Sequence, residues 1–502
     1  MTIKINLPQR EHMMLREILY FLKPAEGHEV WLVGGSIRDL LRGYTTLPDL
    51  DLATGFDPIP AAREYARKTG SGFVVLDEER QVVRVVRTWE DRHYTFDISR
   101  FRAENIDDDL RARDFTINAI AARLSLSADA ADIKPGRPVK NSGTAEPCEL
   151  ELYDPLSGCE HLRQGLIIPC SDNLFTDDPL RLMRAFRFSA LFNASFSPQL
   201  YKMVVDQAPL LKGVSGERIR DELFKVLQVN NSTQWIRIMH QTGILAVIFP
   251  QLAACEGVEQ NEWHHLDVFE HSMLTLENLE KLLLDPNRPG WWPTFEKYLD
   301  ENLSGSRSYR ELLKLGCLLH DLGKPDCKRI DHESGRVIFH GHEMEGVRIT
   351  RDISESLRLS VNESQYLQLL VKNHMRPGVM LQQGVNDKRL FRYFSETGRD
   401  GLGIALLSLA DRCSAQGSLS SNELTDFELG IMDLMHAFYE QLKRPKLAPF
   451  LNGNDLITHF KLKPGPEFKR ILEALEEAQF LGEITSHDEA MARVRELIAQ
   501  EK

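Results

Sequence analysis

The sequence has few cysteines, no long apolar run and no leader-like N-terminus. Its seven cysteines form no Cys-x-x-Cys pair. Zinc sites favour such short ligand pairs and disulfide frameworks need dense cysteine, so we expect reduced thiols in a cytoplasmic protein. Apolar stretches such as LLKLGCLLH are far too short to cross a membrane, and the first residues lack a basic, apolar, cleavable signal. The sequence therefore predicts no membrane partner.

A surplus of positive charge is also missing. The formal net charge is −13, which argues against a protein that coats nucleic acid indiscriminately. Arginines nevertheless concentrate at 100–113, 181–187 and 218–220. A local basic surface for RNA therefore remains compatible with the composition.

What is present indicates several domains, because 502 residues are too many for one hydrophobic core. An amphipathic helix is predicted over 1–23, and a surface excursion over 127–147. Strand and helix patterns alternate at first, and helical periodicity follows, which predicts an α/β head with a mixed sheet and then all-α regions. We place the boundaries at 1–170 for the head, 171–255 for a helical neck, 256–420 for a histidine-rich block and 421–502 for a helical tail.

Two carboxylates two residues apart mark the first candidate site. Asp49 and Asp51 alternate with Leu50 and Leu52, so in a strand both carboxylates point to one face and repel each other unless a cation lies between them. Asp97 occupies the middle of another predicted strand. Three strand-borne carboxylates suit a two-Mg²⁺ phosphoryl-transfer site. The alternative is that Asp49 and Asp51 merely face solvent.

A glycine pair precedes this strand. Gly34 and Gly35 stand between a predicted strand and a short predicted helix, where backbone N–H groups can approach a phosphate closely. Arg38, on the first turn of that helix, could reach the same anion. A plain tight turn is an equally good interpretation of the two glycines.

Four motifs occur in order over roughly residues 25–250: GGSIRDLLRG, DLDLATG, DLRARDFTINAIA and DDPLRLMRAFRF. Together they resemble the class II CCA-adding enzyme and bacterial poly(A) polymerase family of nucleotidyltransferases. The resemblance implies an α/β catalytic head in which Asp49 and Asp51 hold Mg²⁺ and Asp97 is a third carboxylate. It also implies that Gly35 and Arg38 contact the nucleotide.

The third motif supplies further candidates for nucleotide binding, which are Arg113, Asp114 and Asn118. By the resemblance, Arg113 contacts the triphosphate. Ala112 departs from the family pattern, which usually has arginine there. Taken without the flanking motif, Arg113 and Asp114 could instead form a structural salt bridge.

The fourth motif spaces charged residues at steps of three on a helix that Pro179 is predicted to open. Neighbours at i and i+3 lie on one side of a helix, and carboxylate and guanidinium groups suit the donors and acceptors of a base. By the resemblance this series reads the incoming base without a template, although Asp177 replaces the usual glutamate. The alternative is a solvated charged face, which the interleaved apolar residues disfavour. The series is Asp178, Arg181, Arg184 and Arg187.

The histidine-rich block resembles the HD phosphohydrolase domain. Six N/O ligands without thiolate suit a divalent transition metal or Mg²⁺. The resemblance implies a metal-dependent phosphodiesterase or phosphatase, and the alternative is a fold that holds metal but is inactive. His264, His265 and His340 are interpreted as ordinary core or surface residues. The implied ligands are His271, His320, Asp321, His342, His374 and Asp411.

These features predict a tRNA nucleotidyltransferase that builds or repairs the 3′-terminal CCA from CTP and ATP. A poly(A) polymerase, or a partial enzyme adding only C or only A, shares the same motifs. A hypothesis of another class is an HD nucleotide phosphohydrolase whose head merely binds RNA. The expected partners are tRNA or other RNA 3′ ends, with no DNA, and the sequence indicates no oligomeric state.

Overall fold

The computed structural model describes residues 3–22, 29–89, 92–125, 148–260, 266–305, 307–333, 335–415, 421–443 and 448–499, without the side chains of 148, 421–423 and 441–443. The chain forms two compact units, Met1–Val214 and Ser215–Lys502. The excursion predicted over 127–147 lies outside the described residues, as do His264 and His265. The four domain boundaries set from the sequence stay predictions.

A mixed eight-stranded sheet organises the first unit. Its order is β1-β8-β7-β2-β3-β6-β5-β4, where the strands are β1 (Lys4–Leu7), β2 (Val30–Val33), β3 (Asp49–Thr54), β4 (Gly72–Asp77), β5 (Val82–Trp89), β6 (Arg92–Arg100), β7 (Ala121–Leu124) and β8 (Cys148–Tyr153). Only β3 and β6 pair in parallel; the other neighbours are antiparallel. The mixed sheet expected of the head is confirmed.

Helices pack against both faces of this sheet. The α-helices of this unit are α1 (Gln9–Leu22), α2 (Gly35–Leu41), α3 (Ile59–Thr69), α4 (Ile106–Arg111), α5 (Gly158–Gln164), α6 (Leu174–Asp177), α7 (Arg181–Phe192) and α8 (Pro198–Gln207). A separate short parallel pair is formed by β9 (Leu166–Ile167) and β10 (Ser195–Phe196). Met14 of α1 and Tyr65 of α3 join Leu52 and Phe96 in one buried cluster. On the other face, Ile106 and Leu110 of α4 pack with Ala53 of β3. The part of that face that carries Asp49, Asp51 and Asp97 is more open.

The prediction of a single helix over 1–23 is partly wrong. Lys4–Leu7 is a strand that pairs with Cys148–Tyr153 at the sheet edge, and the helix begins at Gln9. Four residues are too few to show a period, so the pattern of the longer helix hid the strand.

The second unit is helical apart from two short hairpins, which the all-α expectation missed. Its elements are α9 (Gly216–Leu227), α10 (Ser232–Gln241), α11 (Ile244–Ile248), α12 (Pro250–Ala253), α13 (Val268–Leu284), α14 (Trp292–Asp300), β11 (Asn302–Ser304), β12 (Arg307–Ser308), α15 (Tyr309–Leu319), α16 (Lys324–Cys327), β13 (Arg329–Ile330), β14 (Val337–Ile338), α17 (His342–Ser356), α18 (Val361–Asn373), α19 (Arg376–Gln382), α20 (Asp387–Thr397), α21 (Gly401–Ser414), α22 (Ser421–Lys443), α23 (Gly453–Phe460), α24 (Pro466–Phe480) and α25 (His487–Ala499). Helix α13 contacts α15 and α21, and α18 contacts α15 and α17. None of the helices described has the length and apolar character needed to cross a membrane.

Candidate functional site

The three carboxylates predicted from the sequence share the open face of the sheet. Asp51 of β3 lies directly opposite Asp97 of β6 in the parallel register, and Asp49 lies opposite Thr95. Leu50 is fully buried on the other face of β3. Asp49 is exposed, whereas Asp51 and Asp97 are half-buried. The register therefore brings together two carboxylates that are distant in the chain.

The electrostatics of Asp51 fit a bound cation. Burial raises the pKa of its carboxyl, the Arg113 charge lowers it, and the neighbouring Asp97 raises it again. Two facing carboxylates with oxygen donors and no thiolate are the ligands that Mg²⁺ prefers. Asp51 and the facing Asp97 therefore offer oxygen donors of the kind that the predicted metal takes.

The glycine pair makes room beside these carboxylates. Gly34 has a positive φ of 64°, and a Cβ on it would lie 2.9 Å from Nη1 of Arg113. A Cβ on Gly35 would lie 3.1 Å from Oδ2 of Asp51. Neither position tolerates a side chain easily, so the glycines permit a close approach as well as a turn.

Ser36 fastens the start of α2 to β3. Its hydroxyl accepts a 2.8 Å hydrogen bond from the backbone N–H of Asp51 and donates one of 3.3 Å to the backbone oxygen of Asp49. The sequence analysis did not single out Ser36. Its position directly after the glycine pair, as a small hydroxyl residue, could have identified it from the sequence.

A chain of hydrogen bonds links α2 to α7 through the third motif. Nη1 of Arg38 donates to Asn118 at 2.6 Å, and Nδ2 of Asn118 donates to Asp114 at 2.9 Å. Nε of Arg184 donates to Asp114 at 2.8 Å, and its Nη2 does the same. Four candidate nucleotide-binding residues thus form one connected network.

Asp114 is the buried centre of that network. Burial would raise the pKa of its carboxyl, but the charge of Arg184 and the hydrogen bonds from Asn118 and Arg184 hold it well below the ordinary value. The proposed Arg113–Asp114 salt bridge is wrong, because each residue pairs elsewhere. Arg113 pairs with Asp109, a residue that the sequence analysis missed.

The charged series of the fourth motif is only partly helical. Helix α7 begins at Arg181, and Asp178 precedes it in an extended conformation with φ −150° and ψ 102°. The prediction that Asp178 lies on the helix is wrong, because a residue before proline avoids the helical region. Nη2 of Arg181 donates to the backbone oxygen of Ala112 at 3.0 Å.

Aromatic rings of α7 hold several of these arginines. The guanidinium carbons of Arg184 and Arg187 lie 5.2 and 4.2 Å from the ring centroid of Phe188. Arg38 lies 5.3 Å from the same ring and 5.0 Å from that of Phe192. Such contacts are typical of cation–π attraction, and they place the guanidinium of Arg38, from α2, against the rings of α7.

In the second unit, the structure brings all six predicted HD ligands together. They form two groups whose ligand atoms lie within 4.8 Å of one another: His271, His320 and Asp411, and Asp321, His342 and His374. Nε2 of His271 lies 2.9 Å from Oδ1 of Asp411. His340, by contrast, is exposed, as expected of a residue outside the cluster.

The histidine rings are oriented for metal binding. Nδ1 of His320, His342 and His374 lies 2.8, 2.9 and 2.7 Å from a backbone oxygen three residues earlier. Such a bond fixes Nδ1 as the protonated nitrogen and leaves Nε2 as the ligand atom.

A metal site should contain buried polar atoms that have no hydrogen bond of good geometry, because these atoms are available to bind the ion. Among the residues described, they include Nε2 of His320, Nε2 of His342 and Oδ1 of Asp321. Burial lowers the pKa of His320, but this effect is outweighed, mainly by the charge of Asp321, and the pKa is raised to about 10. A buried cluster that attracts positive charge and leaves ligand atoms unpaired fits a divalent ion.

Lys324 is a further residue of this centre that the sequence analysis missed. Its Nζ lies 2.6 Å from Oδ2 of Asp321 and donates to Oε1 of Gln260 at 2.7 Å. The side chain is almost fully buried. Its place three residues after Asp321 was the available signal.

Family models match four segments of the chain. They are described as the poly A polymerase head domain over 30–168, the probable RNA and SrmB-binding site of polymerase A over 194–256, the HD domain over 268–416, and a putative tRNA nucleotidyltransferase domain 2 over 431–494. The A-adding tRNA nucleotidyltransferase of Deinococcus radiodurans is 34% identical over 471 residues, 92% of this chain and 94% of that protein. The chain belongs to the class II CCA-adding enzyme and poly(A) polymerase family. It is therefore a template-independent RNA nucleotidyltransferase with an HD domain.

Other members of the family are similar along the whole chain. The CC-adding tRNA nucleotidyltransferase of Thermus thermophilus is 28% identical over 467 residues, 92% of each chain. The Thermotoga maritima CCA-adding enzyme, solved with tRNA-CCA, has a TM-score of 0.60 and 20% identity and covers 100% of both chains. At that identity the structural likeness supports the fold alone.

Proposed function

We propose that this enzyme extends the 3′ end of tRNA with nucleotides of the CCA sequence, taken from CTP and ATP. The observation that carries the proposal is the register of β3 against β6, which sets Asp51 opposite Asp97 on an open face. Asp49 lies on the same strand, two residues before Asp51. The named relatives act on tRNA, which favours tRNA over other RNA ends.

The reaction joins the RNA to a nucleotide and releases pyrophosphate. The 3′-hydroxyl of the RNA attacks the α-phosphorus of the bound triphosphate and loses its proton. Asp49, Asp51 and Asp97 would hold Mg²⁺, which would neutralise phosphate charge and favour ionisation of that hydroxyl. Arg113 binds the triphosphate beside Gly34, where the missing side chain leaves space. Positioning and charge neutralisation supply most of the catalysis in such reactions.

Base selection falls to the start of α7. Asp178 accepts hydrogen bonds from an exocyclic amine, and Arg181 donates to ring nitrogens or carbonyls. Arg184 is tied to Asp114 through its Nε and Nη2 edge, and this bond keeps it in place. Asn118 joins the same network to Arg38, so the glycine turn and the base-reading segment are held together.

A second candidate function is the addition of A alone. The relative that is 34% identical over 92% of this chain is named an A-adding enzyme, whereas the one at 28% is named CC-adding. These names favour a partial enzyme in which another protein supplies the two preceding cytidines. A poly(A) polymerase is less favoured, because the relatives' names specify tRNA.

The HD centre is proposed to be an active, metal-dependent phosphohydrolase. His271, His320 and Asp411 would hold one ion, and Asp321, His342 and His374 a second. A divalent ion there would polarise a phosphate and lower the pKa of bound water. The near-complete burial of the Lys324 ammonium beside Asp321 supports a built site rather than a remnant. The alternative, a phosphohydrolase whose head only binds RNA, is opposed by the intact carboxylate row in the head.

The decisive experiment offers tRNA lacking one, two or three terminal nucleotides, with labelled CTP and ATP supplied separately. Addition of C, C and A in turn, stopping there, supports the full CCA enzyme. Addition of A only to tRNA ending in CC supports the second candidate. Unlimited A on unrelated RNA would indicate a poly(A) polymerase, and no incorporation on any end would overturn the proposal.

A further inference from the structure

Asp109 of α4 is a fully buried carboxylate that binds both the backbone of Arg102 and the side chain of Arg113. Its side chain is 1% exposed. Oδ1 accepts the backbone N–H of Arg102 at 2.9 Å. Oδ2 accepts both Nε and Nη2 of Arg113 at 3.0 Å. A buried carboxylate of this kind is stable only when such donors compensate its charge.

This contact determines which way Arg113 points. A guanidinium has five N–H groups in a fixed plane, and Asp109 occupies the edge formed by Nε and Nη2. The opposite corner, Nη1, lies where a Cβ on Gly34 would be 2.9 Å away. The charge of Arg113 also lowers the pKa of Asp51. The donors left over by Asp109 therefore face the space between the glycine turn and the carboxylate row.

We propose that Asp109 is a positioning residue that aims the free corner of Arg113 at the polyphosphate of the bound nucleoside triphosphate. The inference rests on the proposed function, which assigns the triphosphate to Arg113. Asp109 itself touches no substrate. Asp109 instead sets the direction of the remaining N–H donors of Arg113. The long arginine side chain has many rotamers, and its bond to the buried carboxylate selects one of them.

The same contact keeps Arg113 away from the carboxylates of the metal site. Asp51 already feels the charge of Arg113, so without the Asp109 charge Arg113 can shift towards Asp51. Arg113 would then neutralise a ligand of Mg²⁺ instead of binding phosphate. Loss of Asp109 is thus expected to weaken triphosphate binding, although it removes a negative charge from the region.

The test measures equilibrium binding to the full-length protein in Mg²⁺ without RNA, using ATP and CTP and, separately, AMP and CMP. In Asp109→Asn the dissociation constants of both triphosphates should rise about 10-fold, the loss of one charge-assisted contact. Those of the monophosphates should change less than about 2-fold, because they lack the β- and γ-phosphates. Asp108→Asn, on the exposed side of the same helix, is the matched control and should bind like the wild type.

A double-mutant cycle separates positioning from general damage. If Asp109 acts through Arg113, then Asp109→Asn has no further effect on ATP binding in an Arg113→Ala background. Equal losses for triphosphates and monophosphates, or a full additional loss in that background, would overturn the inference. So would unchanged triphosphate binding in a folded Asp109→Asn protein.

Arg113→Lys keeps the test decisive if Asp109→Asn does not fold. One ammonium cannot pair with Asp109 and reach the polyphosphate in the forked geometry, so triphosphate affinity should fall nearly as far as in Arg113→Ala. Wild-type affinity in Arg113→Lys would refute the positioning role. Incorporation by the wild-type protein is measured in parallel, so that a failure of the proposed function is distinguished from a failure of this inference.

Discussion

Arg84 and Asp97, on neighbouring strands β5 and β6, form a two-pronged ion pair. Nε and Nη2 of Arg84 donate to Oδ1 and Oδ2 of Asp97, each at 2.7 Å, and the two residues are directly opposite in the register. Arg84 also feels the charges of Asp49 and Asp51. The row of carboxylates thus contains its own cation, which offsets part of their mutual repulsion.

Replacing Arg84 should strengthen divalent-ion binding to the head. In Arg84→Met, one positive charge beside the metal site is lost, worth on the order of 1 kcal/mol at the surface. The dissociation constant for Mn²⁺ should therefore fall about 5- to 10-fold. The measurement is Mn²⁺ titration by electron paramagnetic resonance, in a His320→Ala, His374→Ala background that removes one ligand from each group of the HD centre.

The matched control for this variant is Arg80→Met, in the β4–β5 turn, where the side chain is 85% exposed. It should leave Mn²⁺ affinity unchanged. Weaker Mn²⁺ binding in Arg84→Met would contradict the prediction and would mean that orienting Asp97 matters more than the charge.

The two metal centres should be separable by mutation. Asp49→Ala should abolish nucleotide incorporation, by a factor of about 10³ or more, and leave phosphohydrolase activity on cyclic or terminal phosphates intact. His320→Ala should do the reverse. The assay follows labelled nucleotide on tRNA and release of phosphate in the same preparations.

Glu78→Gln, an exposed change in the turn after β4, serves as the control in both assays. Extension of tRNA at the normal rate by Asp49→Ala would refute the assignment of the head carboxylates.

Asp114 should make the stability of the head depend on acid pH. Its folded-state pKa lies well below the unfolded value near 4. Its stabilising contribution is therefore complete above the unfolded value, declines as the pH falls below it, and is fully lost only below the folded-state pKa. Asp114→Asn should lower the melting temperature of the head at pH 7, since the charge-assisted hydrogen bonds from Arg184 are lost, at a cost of about 2 kcal/mol. The difference from wild type should shrink between about pH 5 and pH 3.

Scanning calorimetry at several pH values measures this difference, with Asp206→Asn on the exposed side of α8 as the control. A difference that stays constant from pH 7 to pH 3 would show that the Asp114 charge does not contribute.

The two ligand groups of the HD centre should hold two ions. Elemental analysis of the purified protein should give about two divalent ions per chain in that unit, and His374→Ala should lose about one of them. His340→Ala replaces an exposed histidine two residues from His342 and should keep both. Equal metal content in all three proteins would contradict the two-ion assignment.

Much of the fold was predictable because its signals are local. The alternation around Asp49 and Asp51 predicts a strand with one buried and one open face, and the glycine pair predicts the start of α2. Strand β1 and the hairpins of the second unit were missed, since segments of two to four residues carry no periodicity.

The candidate site was predictable where its residues are close in the chain or match a family motif. The pairings across strands and helices were not, because they depend on register. Arg84 faces Asp97 only because the β5–β6 turn sits where it does. Asp109 and Arg113 are four residues apart, but Arg113 lies beyond the end of α4, so helix spacing alone did not identify the pair. Asp178 was placed on a helix although the proline after it disfavours that conformation.

The register of β3 also protects the fold against a particular error. A slip by one residue against β6 would turn Asp49 and Asp51 inward, into the layer occupied by Met14 and Tyr65, and would expose Leu50 to water. Bare carboxylates in that layer are energetically prohibitive. The acidic residues proposed for nucleotide transfer therefore also disfavour misaligned pairing of β3 during folding, because a misaligned strand would bury their carboxylates in the core.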